Sequence, residues 1–343
     1  MRVNLMRGAT IAAFLAGAAI IAPAAAAAET VTPTGGIVVK PIVDARLRYE
    51  HVEQDGLARD ADAVTVRLRA GVELSSGPWS LLAEGETTLA LSERYNSGLN
   101  SRTQFPIVAD PENVELNRFQ IQYRGIDGVV VTAGRQRINL DDQRFVGSSG
   151  ARDNEQTFDA VRVEYGGIGG FKGDVTYAWS DRTIWGIDGA GARQQAIGGD
   201  NLFANLGYAT LYGTLTAFAF LVDQDEASVS GFRLSSQTYG ARFAGSRKLS
   251  ANATLTYAMS YARQSDYHRN PNDYSANYLA LDAGLDLAAF KLRGGYEVLG
   301  ADDGRPLTSV QTPLATLHKF QGWADKFLTT PPDGIRDLYA GAG

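Results

Sequence analysis

The sequence predicts an all-β fold, an up-and-down antiparallel β-barrel set in a membrane, and three observations predict it. Segments with an apolar residue at every second position follow one another along nearly the whole chain. The links between them alternate short and long, and the apolar faces carry aromatic rings near segment ends. Strand side chains point alternately to opposite faces, so strict alternation means one dry face and one wet face. An outer-membrane barrel with brief turns at one end and extended loops at the other has this rhythm. A soluble sandwich sends its crossovers to both ends.

The first element is not a strand. In "MRVNLMRGATIAAFLAGAAIIAPAAAAAET", Arg2 and Arg7 precede an apolar run from Ala9 to Ala22 and a small-residue tract ending before Glu29. That order predicts a secretory signal peptide over residues 1–28, cleaved after Ala28, with residues 29–343 as the barrel domain. The apolar run is shorter than the ~20 residues a membrane-spanning helix needs.

The alternating segments then come in order. "PIVDARLRYE" sets Val43, Ala45, Leu47 and Tyr49 against Asp44, Arg46, Arg48 and Glu50. "VTVRLRAGVEL" sets Val64, Val66, Leu68, Val72 and Leu74 against Thr65, Arg67, Arg69 and Glu73. "WSLLAEGETTLALS" opposes Trp79, Leu81, Leu89 and Leu91 to Glu84, Glu86 and Thr88. "NRFQIQYR" opposes Phe119, Ile121 and Tyr123 to Arg118, Gln120, Gln122 and Arg124. "GVVVTAGRQ" follows, with Gly134 as a candidate bulge. "DAVRVEY", "FKGDVTYAWS", "NLFANLGY", "GTLTAFAFLV", "QTYGARFAG", "ATLTYAMSYAR", "YLALDAGLDL" and "FKLRGGYEV" bring the count to about thirteen, and "IRDLY" begins another.

The links fall into two sets. Ser75–Pro78, Gly125–Gly128 and Gly166–Gly170 are tight, with further short links near Ala209, Ser246 and Ala289. Ser92–Asn113, Ile138–Gln156, Asp181–Asp200, Asp223–Ser235, Gln264–Ala276 and Gly300–Asp333 are long. Trp79, Tyr123, Tyr165, Trp179, Tyr208, Tyr257, Tyr261 and Tyr296 sit on the dry faces, placed to form belts at the two water–lipid boundaries. The valines and leucines then face acyl chains and the arginines face a watery lumen, because a charge on the lipid side costs about 2 to 4 kcal/mol at mid-bilayer.

Composition removes several function classes. The chain has 32 basic and 38 acidic residues, so it offers no electrostatic footprint for nucleic acid. It has no cysteine, which excludes disulfides, thiolate chemistry and iron–sulfur ligation. The three histidines, His51, His268 and His318, lie in or beside different long loops, and no serine–base pairing marks a catalytic group. The acidic pairs at Asp141 and Asp302 fit no EF-hand spacing, so neither a metal nor any other cofactor is expected.

The wet faces carry nearly balanced charge, with local arginine clusters at Arg67, Arg69, Arg118 and Arg124. Two readings stay open for them. A guanidinium fork suits a solute carboxylate, and it equally suits pairing with Glu73, Glu84 and Glu86 across strands, where it stabilises the wall. The loop Thr312–Gly334 places Leu314, Leu317, Phe320, Trp323 and Phe327 at near-helical spacing, predicting a short amphipathic helical turn. So much apolar surface must be buried, either in the barrel mouth or against neighbouring loops.

The runs "GRQRINLDDQRFVGSSGARDNEQTFDAVRVEY" and "TPLATLHKFQGWADKFLTTPP" resemble the alginate-export family of outer-membrane β-barrel porins. The resemblance implies a monomeric barrel of about sixteen to eighteen strands, whose arginine-rich constriction passes an anionic polyuronate outward. By motif position it implies that Arg135, Arg137, Arg144 and Arg152 stand in or beside that constriction. The implied partners are outer-membrane lipid, the barrel assembly machinery, and an anionic oligo- or polysaccharide or another small polar solute. General small-solute diffusion and a non-conducting structural or adhesive barrel remain as alternatives. The strand count falls short of the family's, and the chain ends on "DLYAGAG" rather than on a terminal aromatic, so a barrel incomplete at its C-terminus is expected.

Overall fold

The computed structural model describes residues 36–167, 169–225, 231–321 and 326–343; the signal-peptide reading and Trp323 lie outside them. Fourteen strands form one sheet in sequence order. They are β1 (Val38–Val52), β2 (Ala61–Ser76), β3 (Trp79–Arg94), β4 (Asn113–Ile126), β5 (Val129–Gln136), β6 (Thr157–Gly166) and β7 (Phe171–Arg182). β8 (Ala196–Thr210), β9 (Gly213–Val222), β10 (Ser236–Ser250), β11 (Ala253–Asp266), β12 (Ser275–Leu287), β13 (Lys291–Leu299) and β14 (Ile335–Ala342) complete it. Every pairing is antiparallel between chain neighbours.

The fourteenth segment is more than a beginning. It pairs with β13 from Leu299↔Ile335 to Leu292↔Ala342. Among the described residues β1 and β14 each pair with a single neighbour, so the sheet has two edges. No described helix is long and apolar enough to cross a membrane.

The alternation read from the sequence is the alternation of the structure. On β2, Thr65 and Arg67 are 1% and 5% exposed while Leu68 between Arg67 and Arg69 is 44% exposed. On β3, buried Glu84 and Glu86 face the interior and Leu89 and Leu91 face out. A soluble fold would bury the leucines; here the apolar side is the outer side. Aromatic residues ring it at both ends. Trp79 packs on Tyr123 (4.5 Å between centroids) and Phe171 on Tyr208 (4.8 Å) beside the short turns. Near the long loops, the Tyr49 and Tyr261 hydroxyls donate to Asp62 (3.0 Å) and Asn277 (2.9 Å), as amphipathic rings do at a headgroup boundary.

Two local departures shape the interior. A bulge opposite Glu84 and Gly85 inserts Asn117, so that Asn117 and Arg118 both reach the lumen. Gly134 is not a bulge, because the β4–β5 register runs unbroken from Tyr123↔Val131 to Phe119↔Arg135. Glycine is needed there for its φ of +110° and because a Cβ would lie 2.3 Å from the Phe119 carbonyl oxygen.

The interior has two unlike halves. Towards β1–β4 it is charged, whereas towards β6–β13 it holds an apolar core of Phe158, Phe203, Phe218, Phe220, Tyr278 and Leu299. Phe145, from the loop after β5, packs into that core 5.2 Å from the Tyr278 ring and 5.5 Å from Phe218. The predicted helical turn after β13 is only a 3-10 turn at Leu317–Lys319. Its apolar residues have different fates: Leu314 is fully buried in the core and Phe327 is exposed.

Candidate pore constriction

The wall ends early at Gln136, and residues 137–156 then turn inward across the lumen. Left-handed backbone at Asp141, Gln143 and Ser149 folds this segment tightly. Gly147 is required where the segment meets the β13–β14 loop, since a Cβ would stand 2.3 Å from the Thr316 hydroxyl oxygen. The Gly147 N–H donates to Leu314 O (2.9 Å), the Thr316 N–H to Gln143 O (3.1 Å), and the Gln156 amide to both Gly147 O (2.8 Å) and Leu314 O (2.9 Å). Both long loops singled out by sequence therefore enter the barrel and lock together.

The inward segment is tethered on every side. Arg46 of β1 donates twice to Asp153 Oδ1 (3.0 and 2.6 Å) and to the carbonyls of Gly150 (3.1 Å) and Ala151 (3.2 Å). The Thr65 hydroxyl donates to Asp153 Oδ2 (2.5 Å), and the Asp153 N–H donates to Asp110 Oδ1 (2.7 Å). Asp110 comes from the β3–β4 loop and pairs with Arg48 and, at 3.6 Å, with Arg152. Burial pushes the Asp110 carboxyl above the usual range, against the pull of those two guanidinium groups. On the far side Arg144 donates to Glu297 of β13 (2.7 Å) and lies over the Phe320 ring, Arg242 of β10 pairs with Asp142 (2.7 Å), and Asn205 of β8 donates to Asp141 (2.9 Å).

Between these anchors stands a dense ion network. Arg69 donates to Glu86 (2.5 Å) and contacts Glu155 (3.0 Å); Arg118 grips both oxygens of Glu84 (2.8 and 2.6 Å). Arg137 bridges Glu155 and Glu84 (3.3 Å to the latter), and the Asn117 amide donates to the same two carboxylates at 2.9 Å. Buried arginines and carboxylates thus neutralise one another almost completely. Arg67 differs. Its side chain is 6% exposed and its partner Asp44 is 43% exposed. The Arg67 Nε is buried with no hydrogen-bond acceptor.

Of the eight arginines expected at the site, Arg67, Arg69, Arg118, Arg137 and Arg152 converge on this network, and Arg144 holds the opposite end of the inward segment. Two stand elsewhere. Arg124 is exposed at the β4–β5 turn, where its N–H donates to Pro78 O. Arg135 lies opposite Phe119 and Asp159 in the register, on the outer face of β5, and donates bidentately to Asp159 (2.8 and 3.0 Å). The correction has a simple cause, since the odd-numbered positions of β5 face out and the chain turns inward only after Gln136. Nothing in the sequence marks Asp110 or Glu297 as a partner of these arginines: each is one acidic residue in a loop or strand, and only the fold brings them together. Among the described residues no group of His, Asp and Glu gathers as metal ligands.

The fold and its outer apolar belt define the class: an outer-membrane β-barrel of the porin type. The likeness to the alginate-export family is also found, as its family model matches residues 43–179, from β1 through Trp179 and including the whole inward segment. The Thr312–Pro332 run lies beyond the matched region. Similar solved structures are outer-membrane proteins of Pseudomonas aeruginosa and Acinetobacter baumannii. OpdL of P. aeruginosa aligns with a TM-score of 0.63 at 14% identity, over 88% of this chain and 75% of its own. OccD3 (OpdP) of P. aeruginosa aligns at 0.60 and 12%, over 90% of this chain and 68% of its own. OccK2 (OpdF) of the same organism, solved in complex with glucuronate, aligns at 0.58 and 12%, over 77% and 66%. The chain spans about two thirds of the length of OccK2 and of A. baumannii OccAB3, 66% in each case. No curated protein matches the sequence.

Proposed function

We propose that the lumen is a channel for polar solutes that admits anionic saccharides of the polyuronate class, with Arg67 as the group that meets a sugar carboxylate. One observation carries the reading: Arg67 presents a buried Nε without an acceptor, beside a partner carboxylate, Asp44, that is open to water. An ion pair with an exposed carboxylate contributes little, so an incoming carboxylate can displace Asp44 at small cost. The Glu84 and Glu86 pairs are buried and resist such exchange. The bound glucuronate of OccK2 and the alginate-export match support the same chemistry.

Ion current through single channels in planar bilayers tests it. Uronate oligomers are expected to block the current, and Arg67→Gln is expected to weaken the block by about 10- to 100-fold, the worth of one charge-assisted hydrogen-bond pair. Asp44→Asn is expected to strengthen it. Equal block by neutral oligosaccharides of the same length would reject the uronate reading in favour of a general porin, and a sealed bilayer at all voltages would reject a channel altogether.

A further inference from the structure

At the constriction nearly every cation is paired, but along β7–β13, at the short-turn end of the lumen, four are not. Lys172 of β7, Lys248 of β10, and Lys291 and Arg293 of β13 have no ion pair or side-chain hydrogen bond among the described residues. All four face inward. Lys248, Thr254, Asp286 and Lys291 stand side by side in register across β10–β13. The Arg293 side chain lies over Gly284, on the face that carries the Thr256 hydroxyl, and Lys172 flanks Gly207 on the face of Thr216. Each is within a few residues of a short turn, on strands spread from β7 to β13. Nearby acids are few. Asp174 and Glu164 are held by Arg162 (2.5 and 3.0 Å), Asp282 accepts the Tyr339 hydroxyl (2.7 Å), and Asp286 is the one carboxylate standing in the row itself.

The other end has the opposite sign. The loop 53–60 carries Glu53, Asp55 and Asp60 against Arg59, and by sequence the loop 223–235 carries Asp223, Asp225 and Glu226 against Arg233. A charged cleft with low-dielectric walls focuses its field and raises the local concentration of counter-ions by 10-fold or more.

We propose that Lys172, Lys248, Lys291 and Arg293 form a polyanion-collecting site at the periplasmic mouth, which makes uptake of an anionic saccharide easier from the periplasm than from outside. The proposal rests on the channel reading above and gives it a direction. Free ammonium groups bind carboxylates without having to break an existing pair, unlike the arginines deeper in the lumen. Spacing suits a chain rather than a single small anion, because neighbouring strands lie about 4.8 Å apart and the row from Lys248 to Lys291 covers three such steps.

The experiment measures block from each side in channels of known orientation. The chain has no cysteine, so a cysteine at Leu211→Cys, on the exposed β8–β9 turn, reports orientation through a membrane-impermeant maleimide. Trigalacturonate is expected to half-block the wild-type current at about tenfold lower concentration from the periplasmic side. In the variant combining Lys172→Gln, Lys248→Gln, Lys291→Gln and Arg293→Gln this difference is expected to vanish, and the reversal potential in a KCl gradient to move towards cation preference. Equal block from both sides of the wild type, or a reversal potential unmoved in the variant, overturns the proposal. If trigalacturonate fails to block from either side while the reversal potential still moves, the uronate reading falls and the cationic mouth stands.

Discussion

Replacing Asp153 by alanine strikes the point where the inward segment is fastened to the wall. The carboxylate is completely buried and accepts two hydrogen bonds from Arg46 and one from Thr65. Breaking a buried ion pair by removing one partner costs about 3 to 5 kcal/mol. Arg46 is 24% exposed and regains some hydration, so the lower end applies, about 3 kcal/mol. This loss bears on the docking of residues 150–155 and leaves the barrel ladder alone. Every 1.4 kcal/mol is tenfold, so the undocked population rises about 100-fold. Hydrogen exchange followed by mass spectrometry in detergent micelles reads this directly, because local opening sets amide exchange in a docked loop. Peptides covering 148–156 are expected to exchange about 100-fold faster, with those of β2 and β3 unchanged. Asp153→Asn keeps an acceptor for Thr65 and falls between the two. Exchange in 148–156 within threefold of wild type (a change of roughly 0.7 kcal/mol), in a folded variant, would refute the idea that Asp153 holds the segment in place.

Three other outcomes are expected. Leu68→Arg puts a charge at the middle of the outer face, and its folding into phospholipid vesicles, followed by urea titration, is expected to lose about 2 to 4 kcal/mol. Arg135→Gln removes an outward-facing guanidinium, so block by uronate oligomers is expected to stay within about twofold of wild type, as for sites with no shared partner; a larger change would return Arg135 to the lumen. Asp303, in the turn after β13, is held at about 2 by the Thr308 hydroxyl, then by the Arg305 N–H and guanidinium. A depressed carboxylate contributes order that is fully present above its unfolded value near ~4 and is lost as pH falls towards about 2. Amide exchange at Arg305 and Thr308 is therefore expected to accelerate across that window, and Asp303→Asn to abolish the step.

Strand positions were legible because the barrel asks one question of each residue, in or out, and the two-residue period answers it. Val64 to Leu74 could be assigned without any partner strand being known. The rule that an oily face is a lipid face fails on β9, where Phe218 and Phe220 point inward and Ala217 and Ala219 point out. Alternation alone cannot tell these two faces apart, because both are dry. What makes the inner one dry is Phe145, Ile138 and Leu314, delivered from the loops after β5 and β13. Parity also decided Arg135. The motif that suggested it for the constriction straddles the residue at which the chain leaves the wall, and Arg135 and Arg137, two apart, end in lipid-side and lumen-side surroundings.

The two unlike halves of the interior follow from how one inward segment must be held. Its charged end, Arg152 to Glu155, needs partners that also suit a watery passage, and β1–β4 supply them with arginines, threonine and carboxylates. The apolar residues at its other end, Ile138, Leu140, Phe145 and Val146, need burial, and the phenylalanines of β6–β9 with Tyr278 provide it. Burying an aromatic residue contributes on the order of 2 to 3 kcal/mol without any demand on charge balance. The apolar side can therefore anchor the segment while the ionic side stays exchangeable, and Arg67 with its water-exposed Asp44 is where that exchange is easiest. Under the proposed uronate reading, a solute carboxylate that displaced Asp44 would act on the ionic edge of the constriction and leave the aromatic anchor undisturbed.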